Sequence, residues 1–89
     1  MGEYLLDVSE DLVYPELEKQ HRQLLVSIAL RIKELRKKAG ITQEEFYLHT
    51  NIHIARIETG KQNISVSTLQ RICGYLGVSI QDFFLQLKE

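Results

Sequence analysis

Residues 40–60 read GITQEEFYLHTNIHIARIETG. The residues that begin and end helices within this segment decide the architecture of the chain. Thr42 and Glu45 form a capping box. The Thr42 hydroxyl accepts a hydrogen bond from the backbone N–H three residues on, and the Glu45 carboxylate accepts one from the N–H of Thr42. A helix is therefore expected to start at Gln43 and to run to about His49.

A corner is expected after this helix, because Thr50 and Asn51 are residue types that favour turns and caps. The apolar residues Ile54 and Ile57 then recur at helical spacing, which predicts a further helix. Gly60 suits the left-handed conformation that closes a helix. The segment therefore predicts a helix, a tight turn and a second, short helix.

A long amphipathic helix is predicted upstream of this segment. Its apolar positions recur at steps of three and four residues, and they are Leu24, Leu25, Ile28, Ile32, Leu35 and Ala39. Pro15, the single proline, suits a first helical turn, and Gly40 ends the periodic run. The helix is therefore expected to extend from near Pro15 to Ala39, which is unusually long for a domain of this size.

Two more helices are predicted downstream. A second capping box at 67–70 opens a fourth helix that ends at Gly77, and Ser79 opens a fifth. The only strand candidates are the brief apolar runs at 4–6 and 12–14. The sequence therefore predicts an all-α fold of five helices.

Composition indicates one small soluble domain. The chain has 89 residues, of which 44% are hydrophobic and 26% charged, with a formal net charge of −1. This length supports one hydrophobic core. The single cysteine, Cys73, cannot form an intramolecular disulfide, and no apolar run is long enough to span a bilayer. A cytoplasmic protein that does not enter a membrane is therefore expected.

Charge is distributed unevenly along the chain. Residues 1–30 carry six acidic and two basic side chains, a net −4, whereas residues 31–61 carry seven basic and four acidic ones, a net +3. A basic stretch inside a neutral domain either attracts phosphate or is simply a solvated helix face. We divide the chain into an acidic N-terminal segment with the helix extension, 1–23, and a helical domain, 24–89.

Five short sequence motifs resemble those of the Xre/Cro-like helix-turn-helix regulators of bacteria and phage. In order, they are RIKELR (31–36), GITQEE (40–45), IARIETGK (54–61), STL (67–69) and LGVS (76–79). The resemblance covers about residues 28–84. It implies a five-helix, lambda-repressor-like DNA-binding domain, here with an N-terminally extended first helix. It also implies a sequence-specific transcriptional regulator that binds double-stranded DNA as a homodimer on a palindromic operator.

The chain departs from this family pattern between Thr42 and Glu58. It is shorter there by about three residues than the common helix-turn-helix arrangement. The usual glycine of the turn is also missing, so that Thr50, Asn51 and Ile52 must form the corner.

Eight residues are candidate DNA contacts. They are Gln43, Thr50, Asn51, His53, Arg56, Lys61, Asn63 and Lys38. When the isoleucines of the third helix face the core, Asn51, His53 and Arg56 remain as polar side chains on its outward face. Their amide, imidazole and guanidinium groups suit base edges in a major groove.

Four of these candidates suit the DNA backbone. The resemblance implies that Gln43, at the start of its helix, contacts a phosphate or an adjacent base. Lys61 and Asn63 follow the cap of the third helix, and Lys38 lies at the basic end of the first helix. The alternative for each of them, and for His53, is an ordinary solvated side chain.

The resemblance also implies a structural ion pair. Arg36 on the first helix and Glu58 at the end of the third stand at the positions of a pair that ties these two helices together in the family.

The dimer interface is expected on one or both of two surfaces. One is the fifth helix with Phe83, Phe84 and Leu87, and the other is the long first helix with Leu17 and Leu24. Adjacent phenylalanines near a chain end do not easily share one small core, so one of them is expected to face a partner.

A protein-interaction module is the alternative function, for example an antitoxin that binds and neutralises a toxin through the acidic segment 1–23.

Catalysis, cofactors and metals are not expected. His49 and His53 have the spacing of a metal-binding pair, but a turn separates them and no further ligand motif accompanies them. Cys73 falls on an inward stripe without an evident base.

Overall fold

The structure is a computed structural model that describes residues 15–87. Within that range it contains no strand, and its helices are α1 (Pro15–Lys38), α2 (Gln43–Thr50), α3 (Ile54–Ile57), α4 (Val66–Leu76) and α5 (Ile80–Leu85). The prediction of an all-α fold is confirmed. The two strand candidates, at 4–6 and 12–14, lie outside the described residues.

α1 is long, and only its C-terminal half contributes to the core. Its 24 residues correspond to about 36 Å of helix. Buried side chains begin at Ile28, whereas residues 15–24 are all exposed. The predicted N-terminal extension is therefore present from Pro15 onward, although the helix ends at Lys38. Neither α1 nor any other helix of residues 15–87 is long and apolar enough to cross a membrane.

Every helix contributes a side chain to one hydrophobic core. The fully buried residues are Ile32 on α1, Phe46 on α2, Ile54 on α3, Ile72 and Cys73 on α4, and Phe83 on α5. A single turn of helix such as α3 is not stable by itself, because helix nucleation is unfavourable. Burial of Ile54 therefore holds α3 in position.

The prediction that Phe83 belongs to a dimer interface is wrong. Its side chain is completely buried, whereas Phe84 is 44% exposed. Consecutive residues on a helix point about 100° apart, so only one of the two can face the core. The two rings meet edge to face, with centroids 5.5 Å apart. Leu87 is half-buried and packs against the same core.

The predicted start of the fourth helix is also wrong, by two residues. α4 begins at Val66, and its N-cap is Ser65, whose hydroxyl accepts a hydrogen bond of 3.1 Å from the backbone N–H of Thr68. Ser65 has the extended backbone that an N-cap requires, with φ −75° and ψ 156°. Ser67 therefore lies inside the first turn, where its hydroxyl meets that of Ser65 at 3.2 Å.

Candidate nucleic-acid interface

α2 begins as the sequence predicted. The backbone N–H of Glu45 donates to the Thr42 hydroxyl at 3.0 Å, and the N–H of Thr42 donates to the Glu45 carboxylate at 2.9 Å. This backbone hydrogen bond from Thr42 lowers the pKa of Glu45. Both halves of the capping box are formed, which fixes the position of Gln43 at the first turn of the helix.

The corner after α2 is built on a left-handed asparagine. Asn51 has φ 61°, and its N–H donates to the carbonyl of Tyr47 at 2.7 Å. Asparagine tolerates this conformation better than other residues with a side chain, so it replaces the glycine that the family uses. Asn51 consequently caps α2 at the predicted corner, and it is not part of α3, to whose outward face it was also assigned. Its side chain is exposed at the corner.

Thr50 has a structural role in the same corner. Its hydroxyl donates to the carbonyl of Phe46 at 2.7 Å and accepts from the N–H of Ile52 at 3.1 Å. The hydroxyl proton is therefore already used, and Thr50 cannot donate it to a phosphate. The expected DNA contact of this side chain is not retained.

α3 is a single turn that presents few side chains to solvent. Ile54 is buried and Ile57 is half-buried, whereas Arg56 is exposed. His53 lies immediately before the helix as its N-cap and makes no capping hydrogen bond with its imidazole. Of the three side chains predicted to form the outward face, only Arg56 lies within the helix, and exposed His53 adjoins its start.

Gly60 holds the end of this unit against α1. Its φ is 76°, and a Cβ atom there would come within 3.2 Å of the Cα of Val26. A side chain at this position would therefore strain the backbone and push the turn away from α1. The close approach fixes the turn after α3 relative to the long helix.

Arg36 and Glu58 form a buried, bidentate ion pair. Nε of Arg36 donates to Oε2 of Glu58 at 2.6 Å and Nη2 donates to Oε1 at 2.9 Å. The side chains are 8% and 3% exposed, respectively. Nη1 of Arg36 also donates to the carbonyl of Ile41 at 2.8 Å. The guanidinium thus joins α1, the turn before α2 and the end of α3, as the resemblance implied.

The electrostatics of the pair favour its charged form. Burial by itself raises the pKa of Glu58, but the hydrogen bonds from Arg36 and Gln43 and the charge of Arg36 outweigh it, so the net shift is downward. The hydrogen bond to Glu58 raises the pKa of Arg36. Both residues are therefore ionised in the folded chain at neutral pH.

Gln43 is tied to this pair. Its Nε2 donates to Oε1 of Glu58 at 2.9 Å, although the residue is otherwise exposed. An amide nitrogen carries two hydrogens, so one remains for another acceptor such as a phosphate oxygen. The carboxylate of Glu58 therefore determines which way the amide of Gln43 is turned.

The remaining candidates lie on both sides of the α2–α3 unit. Lys38 is exposed at the end of α1 and Lys61 is exposed just after Gly60. Asn63 is also exposed, but its Oδ1 accepts a hydrogen bond of 2.9 Å from Nε2 of His21 on α1. Its amide hydrogens remain available.

The sequence reasoning missed three contacts near the corner. The ring of Tyr47 lies over the imidazole of His53, with centroids 4.7 Å apart and planes 34° apart. Arg71 on α4 donates to the carbonyl of Thr50 at 3.0 Å. His49 is hydrogen-bonded to the hydroxyl of Tyr75. Only the contact of Tyr47 has a sequence signal. Tyr47 lies four residues after Gln43, a candidate interface residue, and is therefore on the same face of α2.

Comparison with known proteins agrees with this geometry. Residues 32–83, more than half of the chain, match the helix-turn-helix family. The chain belongs to the Xre/Cro-like helix-turn-helix family. In this family's terms, α2 and α3 are the helix-turn-helix unit.

A curated relative supports the same assignment. The protein named "Control protein C.MunI" from Mycoplasma sp is 30% identical over 63 residues, which cover 66% of this chain and 85% of the relative. No solved structure matches the chain. As a member of the Xre/Cro-like family, the chain is a DNA-binding transcriptional regulator.

Proposed function

We propose that the chain binds a palindromic operator as a homodimer and reads its sequence with Arg56 and His53. The observation that carries this proposal is the locked position of α3. Burial of Ile54 and the contacts of Glu58 to Arg36 and Gln43 hold this short helix, while Arg56 and His53 stay exposed. A rigid support beneath exposed polar side chains is what base recognition requires.

Arg56 is the stronger of the two readers. Its guanidinium has no hydrogen-bond or ionic partner among residues 15–87. A free guanidinium can bind O6 and N7 of guanine with two parallel hydrogen bonds, the commonest specific contact in the major groove. The imidazole of His53 adds a second group at the start of the helix, and the amide of Asn51 adds a candidate contact at the corner.

Other side chains bind the DNA backbone in this proposal. Gln43 offers its second amide hydrogen beside the free N–H groups of the first turn of α2. Lys61, Lys38 and Asn63 flank the unit in the sequence, are exposed, and supply charge or amide hydrogens to phosphates in this proposal. With about four to six phosphates neutralised per dimer, the slope of log K against log salt is about −4 to −5.

The proposed dimer rests on exposed apolar side chains of α1 and α5. Leu17 is 51% exposed and Leu24 is 45% exposed on α1, and Phe84 is exposed on α5. To bind two half-sites about 10 base pairs apart, the two α3 helices of this dimer have to lie about 34 Å apart.

Selection of bound DNA from a random pool tests the proposal. We expect an inverted repeat with half-sites at that spacing and a steep salt dependence. Arg56→Ala is expected to cost about 1 to 3 kcal/mol per half-site and to relax the preference at one base pair, whereas Lys61→Ala weakens all sequences about equally. A chain that enriches no sequence at low salt would contradict the proposal and favour the antitoxin function, in which segment 1–23 binds a toxin.

A further inference from the structure

One face of α2 contacts both ends of α3. Gln43 and Tyr47 are four residues apart and therefore neighbours on this face. The amide of Gln43 is bound to Glu58, which follows α3, and the ring of Tyr47 covers the imidazole of His53, which precedes it. α3 is thus held from its partner helix at two points, one polar and one aromatic.

The aromatic contact is the one that concerns recognition. His53 is the N-cap of α3, but its imidazole makes no capping hydrogen bond. Within residues 15–87 this imidazole makes no hydrogen bond or ion pair, and its ring contact is with Tyr47, which is itself 38% exposed. Without Tyr47, an exposed imidazole before a four-residue helix is free to rotate about both of its side-chain bonds.

We infer that Tyr47 is a positioning residue for sequence recognition: its ring holds the imidazole of His53 in the orientation that contacts a base pair. This inference rests on the proposed base contact of His53. An aromatic pair at this distance is attractive beyond the area that it buries. Fixing the imidazole before DNA binds also removes the loss of rotational freedom that binding would otherwise require.

The test compares the wild-type chain with variants at positions 47 and 53 on the selected operator and on its single-base variants. Tyr47→Leu removes the ring but keeps an apolar residue of high helix propensity, and Tyr47→Phe keeps the ring. Leu48→Ala is the matched control, because Leu48 is the next residue on α2 and is 70% exposed. Thermal unfolding of each variant checks that the domain is folded.

We expect Tyr47→Leu to weaken binding to the best operator by about two- to tenfold. It should flatten the preference at the same base pair as His53→Ala, and the double variant should bind no worse than His53→Ala alone. Tyr47→Phe and Leu48→Ala should retain the wild-type preference. If Tyr47→Leu keeps that preference, or if its effect multiplies with that of His53→Ala, the inference is wrong.

Different results would refute the proposed function and the role of Tyr47. If His53→Ala leaves every base preference unchanged while Arg56→Ala relaxes one, the role of Tyr47 and the base contact of His53 are refuted, but operator binding and base reading by Arg56 stand. If the wild-type chain has no sequence preference at all, the proposed function falls and the role of Tyr47 falls with it.

Discussion

Arg36 makes three hydrogen bonds where α1 meets the helix-turn-helix unit, two to Glu58 and one to the carbonyl of Ile41. The pair lies where solvent is largely excluded, so removal of one partner leaves a buried charge without compensation. Two exposed charges at the same separation would contribute little. The stability of the domain is therefore expected to depend strongly on this contact.

We predict that Arg36→Ala and Glu58→Ala each lower the free energy of unfolding by about 3 to 5 kcal/mol. The double variant should lose clearly less than the sum of the two, because each single variant already removes the pair. Urea denaturation measures all three. If each single variant lowers the free energy of unfolding by less than about 1 kcal/mol and the two effects are additive, the pair behaves like a solvent-exposed ion pair.

The pKa of Glu58 predicts a loss of stability in acid. This pKa is lower in the folded chain than its ordinary value of 4.5. The stabilisation from the carboxylate is therefore complete above pH 4.5, and it is lost as the pH falls through the lower pKa that Glu58 has in the folded chain. Glu58→Gln should be less stable at neutral pH and should lose less further stability in acid than the wild type.

Glu45 provides the comparison for this experiment. Its pKa is also lowered, by its hydrogen bonds with Thr42, but the side chain is exposed. Unfolding of Glu45→Gln should therefore keep most of the wild-type pH dependence. Equal pH profiles for Glu58→Gln and the wild type would contradict the assignment of the acid sensitivity to Glu58.

Among the elements, the corner between α2 and α3 depends on one backbone conformation. Asn51 has φ 61°, in the left-handed region that costs most residues about 1 to 2 kcal/mol. We predict that Asn51→Ala lowers the free energy of unfolding by about 1 kcal/mol, whereas Asn51→Gly is neutral or stabilising. Urea denaturation distinguishes them. An alanine variant as stable as the glycine variant would show that the corner can form without this conformation.

The start of α4 is the second element to test. Ser65 caps the helix through the N–H of Thr68, and Ser67 lies within the first turn. Ser65→Ala is expected to cost about 1 kcal/mol, the usual loss for an N-cap, and the matched Ser67→Ala to cost less than about 0.5 kcal/mol. Thermal unfolding of both variants measures the difference. If Ser67→Ala is instead the more destabilising variant, α4 begins where the sequence predicted.

These two elements illustrate how far sequence reasoning reaches. Thr42 and Glu45 identified the start of α2 because a capping box is a local signal, and both of its hydrogen bonds form. At 65–70 three hydroxyl residues compete for the same role, and spacing alone selected the wrong one. Thr50 and Asn51 were correctly placed in the corner, but only the backbone angles reveal that Asn51 closes α2 in the left-handed conformation.

For the whole molecule, the contacts that the sequence could not predict are those between distant segments. His21 and Asn63 are 42 residues apart, yet their hydrogen bond joins the extension of α1 to the loop after α3. Gly60 similarly lies so close to α1 that a Cβ atom there would come within 3.2 Å of the Cα of Val26. The resemblance supplied the one long-range contact that was anticipated, between Arg36 and Glu58, because no periodicity links those positions.

The exposed residues of α1 and α5 raise the question of assembly. Phe84 points away from the core because its neighbour Phe83 occupies the only inward position at that level. An exposed aromatic ring beside Leu85, which is 78% exposed, is typical of a surface that associates. The same substitution at these adjacent phenylalanines should therefore have two different consequences.

If α5 forms the proposed dimer interface, we predict that Phe84→Glu gives a folded monomer, because the carboxylate would have to be buried there without a partner. DNA affinity for the palindrome should fall, since one half-site alone is then bound. Gln81→Glu, an exposed change on the same helix, adds equal charge and should leave the dimer intact. Phe83→Glu should instead unfold the domain. Sedimentation measures the oligomeric state and circular dichroism measures folding. If the Phe84→Glu protein remains dimeric, the interface is on α1 and not on α5.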